Sequence, residues 1–376
     1  MPIRQYNRAK IFISLLYKTM FTKLRNSYHN ASVWAHHHTA VLVFGLTVLA
    51  AAFGWQFGSY FMGESKTHAS YDPIVWTARC DANEENYAID LSECYALANI
   101  YAQLDGPDWN ITFRPPDVAW FSDTDIENWY GVSLLDNHVD QISLYGFGNV
   151  DVGLGQTVNF AGLPFLTRLW LWSTAINGVD LSTNTALENL TIRYNPNMTS
   201  IDVTANTNLE VLDIEGNSIT AIDLSSLTNL KQAYLSYNQI SAIDISANTL
   251  LEQFNLAMYN NALVTAIDFS NNSNLIGVYV AGQNLSSIDL SNATQLQNLY
   301  ASYNNNLTSV SLAPTAPLTQ LQLSNAQLTT LDVSMYPDIM DLRVDGNRLT
   351  SLVIGTKTQL SYLDASRNNL ASIDLS

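Results

Sequence analysis

The phrase L-x-x-L-x-L-x-x-N-x-L, followed by x-x-I-D-L-S and a short turn, recurs down the second half of this chain. Copies open at Leu166, Leu187, Leu209, Leu230, Leu251, Leu275, Leu296, Leu318, Ile339 and Leu360, spaced 21 to 24 residues apart and most often 21. A fixed period of this length means a solenoid, because no single unit can bury its apolar side except by stacking on the next. Two extended phrases and two turns fill the period, which leaves no room for a long helix. The expected class is therefore an α/β solenoid made mainly of β coils.

The copy LKQAYLSYNQISAIDIS, 230–246, shows what each position does. Leu230, Leu235 and Ile240 point inward, with Ala233 in the remaining core site. Alternation over KQAYLS makes a short strand that turns Tyr234 and Ser236 outward. Successive strands stack in parallel about 4.8 Å apart, so ten coils make a ladder of roughly 45–50 Å. Asn238 recurs as Asn195, Asn217, Asn304, Asn347 and Asn368, where a buried amide can pair turn backbone that is otherwise unsatisfied. In AIDIS, Ile243 and Ile245 point in and Asp244 out, which predicts a second extended edge in every coil. Extra residues at Met258–Asn261 and Asn305–Asn306 are expected to bulge as loops.

Charge and hydropathy divide the rest of the chain. Its 376 residues carry a formal net charge of -17, yet the first acidic residue is Glu64. Arg4, Arg8, Lys10, Lys18, Lys23 and Arg25 all precede it. The acidic C-terminal part repels phosphate backbones and excludes nucleic acid as a partner. Between the two lies an uncharged apolar stretch, 40–62, which as a helix would span about 34 Å, enough for a bilayer core. The basic flank places residues 1–39 in the cytoplasm and everything after the stretch outside. The expectation is a single-pass signal anchor in the cell membrane. The alternative is a cleaved signal peptide and a secreted product. Export agrees with the cysteines: Cys80 and Cys94 are the only two, and an even pair in an oxidising compartment is most simply one disulfide. Two free thiols are the alternative.

The repeats resemble those of the leucine-rich repeat family, in particular the 21–22-residue type of internalin-like bacterial surface proteins. The resemblance covers Leu166–Ser376 and implies a right-handed solenoid with a parallel β-sheet on its concave face. The segment before the array resembles the N-terminal capping region of leucine-rich repeat proteins. Glu93, Ala96, Leu97, Tyr101, Asp105, Gly106 and Trp109 match its helix motif, and Trp129–Val132 match its W-x-G-V motif. Plant-type members often place cysteines beside that second motif, whereas here both precede it. The expected organisation is a linker at 63–78, a helical cap at 79–138, an irregular first coil at 139–165 and ten repeats at 166–376. The sequence ends within a coil, at ASIDLS, so a longer protein is expected.

From Val139 onward there is no histidine and no cysteine, which removes the usual general base and thiol nucleophile from the array. The acids come in register because the period puts them there. Asp180, Asp202, Asp223, Asp244, Asp268, Asp289, Asp332 and Asp374 form one column, read as solvated and capped by neighbouring Ser and Thr. A calcium-bridged edge is the lesser reading, and no cofactor is implied. The candidate ligand-binding residues are Trp170, Trp172, Arg193, Tyr194, Tyr234, Tyr237, Tyr279, Tyr300, Tyr303, Arg343 and Tyr362, all placed on the concave side. Large amphipathic rings there suit recognition of a protein or glycan. Strand propensity and cross-strand packing also explain rings without a ligand. The expected function is a non-enzymatic extracellular recognition or adhesion module. The alternatives are a self-associating envelope scaffold, and the targeting part of an enzyme whose catalytic domain lies elsewhere.

Overall fold

The computed structural model of the protein describes residues 73–82, 89–104, 129–145, 157–258 and 264–373, all within the compact unit Ser70–Ser376. The apolar stretch 40–62 lies outside these residues, as do Trp109, Tyr259 and Asp374. Among the described residues no helix is long and apolar enough to cross a membrane.

Two helices come first, α1 (Pro73–Ala82) and α2 (Leu91–Gln103), then a hairpin of β1 (Val132–Leu135) and β2 (His138–Tyr145). The coils follow with β3 (Thr157–Asn159), β4 (Arg168–Trp172), β5 (Gly178–Asp180), β6 (Asn189–Arg193), β7 (Val211–Asp213), β8 (Gln232–Tyr234), β9 (Gln253–Asn255) and β10 (Gly277–Tyr279). The last are β11 (Ser287–Leu290), β12 (Asn298–Tyr300), β13 (Ser309–Leu312), β14 (Gln320–Gln322), β15 (Thr330–Asp332), β16 (Asp341–Arg343), β17 (Ser351–Val353) and β18 (Tyr362–Asp364). One 12-stranded sheet takes a strand from every coil, in the order β1-β2-β4-β6-β7-β8-β9-β10-β12-β14-β16-β18. All its pairings are parallel except β1–β2, and equivalent residues of successive coils face each other without a shift: Tyr234 meets Asn255, Asn255 meets Tyr279, and Tyr279 meets Tyr300.

The core is one column of inward residues per period. Leu230, Leu235, Ala233 and Ile240 are buried, as the alternation requires. Ala233 pairs with Phe254 of the next coil, so a small residue sits beside a large one, and Phe254 meets Phe269 edge-on at 5.9 Å. Each fully buried Leu contributes roughly 1.5–3 kcal/mol.

The inner asparagines pair the turn backbone. Asn238 Nδ2 donates to the carbonyls of Ile214 and Leu235 at 2.8 and 3.0 Å, and its Oδ1 accepts the Ile219 N–H at 3.0 Å. In the coil of β10 a glutamine takes this place, and Gln283 reaches the Leu256 carbonyl and the Val264 N–H. A second amide row escaped the sequence reading. Asn184, Asn206, Asn248 and Asn272 are fully buried, and each donates to two backbone carbonyls of the coil before it, such as Leu224 and Leu227 for Asn248.

Three expectations are corrected. The second edge forms ladders in only part of the array, as the pairs β3–β5, β11–β13 and β15–β17. Ile245 is buried there but Ile243 only half-buried. Asn305–Asn306 does not bulge. Asn306 Nδ2 donates to Asn284 Oδ1 at 2.7 Å and the Asn305 carbonyl accepts Gln327 Nε2 at 2.6 Å, which ties the extra residue to both flanking coils. The segment expected as a linker is helical from Pro73, a residue whose fixed φ and missing N–H suit a first helical turn.

The disulfide Cys80–Cys94 joins α1 to α2. α2 lies on the first coil: Gln103 Oε1 accepts the Asn159 N–H at 2.8 Å, and Leu97 and Ile100 are fully buried. Glu93 is buried as well, accepting the Val139 N–H at 3.3 Å and meeting His138 Nδ1 at 3.2 Å. Burial pushes its carboxyl above the ordinary range, against these hydrogen bonds. The β1–β2 hairpin covers the edge of β2. Its two turn residues, Asp136 and Asn137, have φ of 52° and 65°, the backbone of a tight hairpin turn. Gly131 holds φ +73°, and a Cβ there would stand 2.0 Å from the Ser143 carbonyl oxygen, so no other residue fits.

Candidate functional site

The solvent-facing side of the 12-stranded sheet presents outward residues in columns, because the strands are in register. The column at the centre of the face reads Ser143, Trp170, Thr191, Asp213, Tyr234, Asn255, Tyr279, Tyr300, Gln322, Arg343 and Asp364. Eight of the eleven candidates stand on strands of this face: Trp170, Trp172, Arg193, Tyr234, Tyr279, Tyr300, Arg343 and Tyr362.

At the N-terminal end, Trp172 lies 6.4 Å from Tyr145 and 5.2 Å from Tyr194, and the Arg193 guanidinium sits 5.5 Å above the Trp172 ring. Arg193 Nε donates to Asp213 at 2.7 Å, and a second guanidinium nitrogen pairs with Glu215 at 3.5 Å. Trp170 is half-buried and donates its indole N–H to Asn189 Oδ1 at 3.0 Å. At the C-terminal end Arg343 is held by Asp341 at 2.9 Å and lies 4.5 Å over the Tyr362 ring. Arg367 pairs with Asp345. Each end is thus a ring with a guanidinium locked over it by carboxylates.

Between the ends the face changes character. Over the strands β8, β9, β10, β12 and β14 and the turn residue after each, no outward residue is charged. Tyr279 and Tyr300 stack at 5.0 Å with their planes 24° apart, and the Tyr234 hydroxyl donates to Gln232 Oε1 at 3.2 Å. Burial pushes the hydroxyls of Tyr234, Tyr279 and Tyr300 up, the last to about 12, so all three keep their protons at neutral pH.

The remaining three candidates are not on the strands. Tyr194, Tyr237 and Tyr303 occupy the turn that follows, with φ of 56°, 55° and 62°. Nine coils place a residue with positive φ in one column of this turn: Ser173, Tyr194, Gly216, Tyr237, Gly282, Tyr303, Asn325, Gly346 and Arg367. The left-handed backbone is free for glycine and tolerable for asparagine. It costs a bulky side chain about 1–2 kcal/mol. The coil geometry demands the conformation, and three coils meet it with tyrosine. Tyr237 and Tyr303 are 42% and 50% exposed, so burial does not explain the choice. Tyr194 lies across Gly216, where a Cβ would come within 2.4 Å of the ring.

The aspartate column runs along a different edge. Seven of its described members, from Asp180 to Asp332, accept the backbone N–H two residues ahead at 2.9–3.1 Å. The Ser or Thr hydroxyl at that position and then the N–H hold these carboxyls below their ordinary range, which outweighs repulsion between coils. Among the described residues no three His, Cys, Asp or Glu side chains are grouped to hold a metal.

Coils of this period, one strand each in a parallel sheet, and an asparagine row pairing the turns define a leucine-rich repeat solenoid. No protein-family model matches the chain, and no curated protein does. Among solved structures it is similar to the functional domain of InlJ from Listeria monocytogenes (23% identity, TM-score 0.47, 65% of this chain and 57% of that one). It is also similar to the leucine-rich repeat protein LIC12759 of Leptospira interrogans (20% identity, TM-score 0.43, 56% and 62%). A plant ice-binding protein shares the fold at 17% identity and a TM-score of 0.53, over 75% of this chain and 96% of that one. The chain spans less than two thirds of the first two.

Proposed function

We propose that this chain is a non-enzymatic recognition module, anchored through residues 40–62 with its coils outside the cell, that binds an extracellular protein or glycan on the solvent-facing side of its sheet. The observation that carries this is the turn column. Tyr194, Tyr237 and Tyr303 hold rings on a backbone that three other coils give to glycine and one to asparagine, and strain of this kind collects at functional positions. The strand rings Tyr234, Tyr279 and Tyr300 stand beside them on a face with no described metal or thiol chemistry. The test is a binding screen of the full chain against extracellular proteins and glycans, with Tyr234→Ala/Tyr300→Ala as the comparison. Capture should fall at least tenfold in the double variant, because buried aromatic anchors carry most of an interface's energy. Unchanged capture would reduce the rings to sheet packing. Protease treatment of intact cells should cleave the coils and spare residues 1–39.

A second reading has its own observation. Thr185, Thr207, Thr228, Thr249, Ser273 and Thr294 take the same turn position in six consecutive coils, and all are exposed. The carbonyls of Thr185, Thr207 and Thr249 are fixed by the Asn208, Asn229 and Asn274 amides at 3.0–3.1 Å. A row of exposed hydroxyls, five of the six beside a methyl group, is a surface on which water can order, and on this reading the chain binds ice. Micromolar full chain should then slow ice recrystallisation, and Thr207→Lys/Thr228→Lys should abolish the effect. Crystal growth at the rate of buffer alone rejects it.

A further inference from the structure

Every acidic residue of the chain lies from Glu64 onward, but five successive strands of the sheet face carry none of them. A small-residue stripe, Ser236, Ala257, Ala281, Ser302 and Ser324, runs across them. On one side of it stands the ring column of Tyr234, Tyr279 and Tyr300. On the other stand the turn tyrosines, Tyr237 at the first of these coils and Tyr303 at the fourth. Small side chains between two rows of rings make a shallow trough across the strands. Four strand spacings give it a length of roughly 19 Å.

The chemistry of the trough narrows its ligand. A charged ligand gains affinity and orientation from opposite charge, and none stands on these strands; at the β14 end Gln322 donates to Asp341 at 3.2 Å, a carboxylate already paired with Arg343. Lys231, just before β8, is already paired with Glu210 at 2.8 Å. The polar groups on these strands are amides and hydroxyls, Gln232, Gln253, Asn255, Asn298, Gln320 and Gln322 beside the tyrosines and serines, and part of their capacity is used locally: Gln232 accepts from Tyr234, Asn255 from Ser236 and Asn298 from Thr319. Each of these side chains can donate and accept, as sugar hydroxyls do. Tyr279 and Tyr300 cover one face of each other, and the aromatic surface left open suits the C–H groups of a pyranose, since an aromatic face is its negative side. A peptide ligand would meet few apolar recesses here, because the stripe is filled by serine and alanine.

We infer that the trough spanning β8 to β14 binds a neutral, hydroxyl-rich glycan laid across the strands, its C–H groups against the exposed parts of the Tyr234, Tyr279 and Tyr300 rings and its edges bracketed by Tyr237 and Tyr303. This rests on the reading of the sheet face as the recognition surface. It adds the class of ligand and the coils that hold it.

The test is calorimetric titration of the full chain, in mild detergent, with neutral glucose-, mannose- and N-acetylglucosamine-based oligosaccharides. Sulfated and uronate chains and an uncharged peptide serve as comparisons. A neutral oligosaccharide should bind, and Tyr237→Gly/Tyr303→Gly should weaken it roughly tenfold or more. Binding is compared at a temperature where the melting curves show both the parent and the variant folded. Binding that survives the double substitution, a preference for charged chains, or no binding of any neutral oligosaccharide overturns the inference. If the peptide binds and the double variant loses it, the glycan assignment falls and the recognition reading stands. If no ligand of the screen or the titration responds to Tyr234→Ala/Tyr300→Ala, both fall.

Discussion

Asn238→Leu should destabilise the solenoid by about 3 kcal/mol or more, seen as a lower thermal midpoint and faster amide exchange around Ile214–Ile240. Leucine has the branched skeleton of asparagine but is bulkier, so the substitution opens no cavity and adds some crowding. What it removes is the pairing of the Ile219 N–H and of the Ile214 and Leu235 carbonyls. Those groups are shut away from water, and each one left unpaired costs about 1–3 kcal/mol. The damage should be local, because the amide reaches only its own coil and the one before it. Asn248→Leu is the control from the second amide row. Leu227 already fills that place one coil earlier and is fully buried there, so the array tolerates leucine and the loss should be clearly smaller. Equal midpoints for the two variants would mean that the inner row holds no more of the structure than the outer one.

Removing the disulfide should free the N-terminal helices while the coils stay folded. Cys80 and Cys94 lie 14 positions apart, and closing a loop of about that length is worth about 3 kcal/mol. The link holds α1 to α2, and α2 brings Leu97, Ile100 and Glu93 onto the first coil. With the bond reduced, or in Cys80→Ser/Cys94→Ser, limited proteolysis should cut between residues 83 and 104 well before it enters the strands. A quasi-one-dimensional array loses an end unit without losing the rest. Resistance of α2 to protease after reduction would show that its packing on the first coil suffices alone.

The coil itself was legible because the same physical demand recurs every period. Leu230, Leu235 and Ile240 had to be inside, and Asn238 had to pair the turn, so ten copies of the pattern left one arrangement. The outward side of Tyr234, Tyr279 and Tyr300 followed from alternation alone. The turn tyrosines did not, because nothing in a tyrosine announces a left-handed backbone. The signal lay down the column rather than along the chain: Gly216, Gly282, Asn325 and Gly346 stand where Tyr194, Tyr237 and Tyr303 do. The second amide row was hidden by Leu227, which interrupts it between Asn206 and Asn248. The hairpin at Asp136–Asn137 carried a turn signal that an eye set on the repeat passes over. The lack of charge in the middle of the face was visible only after strand register set the outward residues side by side.

The unshifted register of the sheet has a consequence for how such a surface changes over time. Each coil bonds to its two neighbours and to nothing farther away. Duplicating one unit, such as Leu318–Asp338, would therefore give every old coil the same kinds of neighbours it has now. The face would grow by one strand spacing, about 4.8 Å, with no core to redesign. The trough is in this sense a ruler marked in coils. Unequal crossing-over between repeats of the gene lengthens or shortens it by whole marks, and point substitutions at the turn column decide which marks carry a ring.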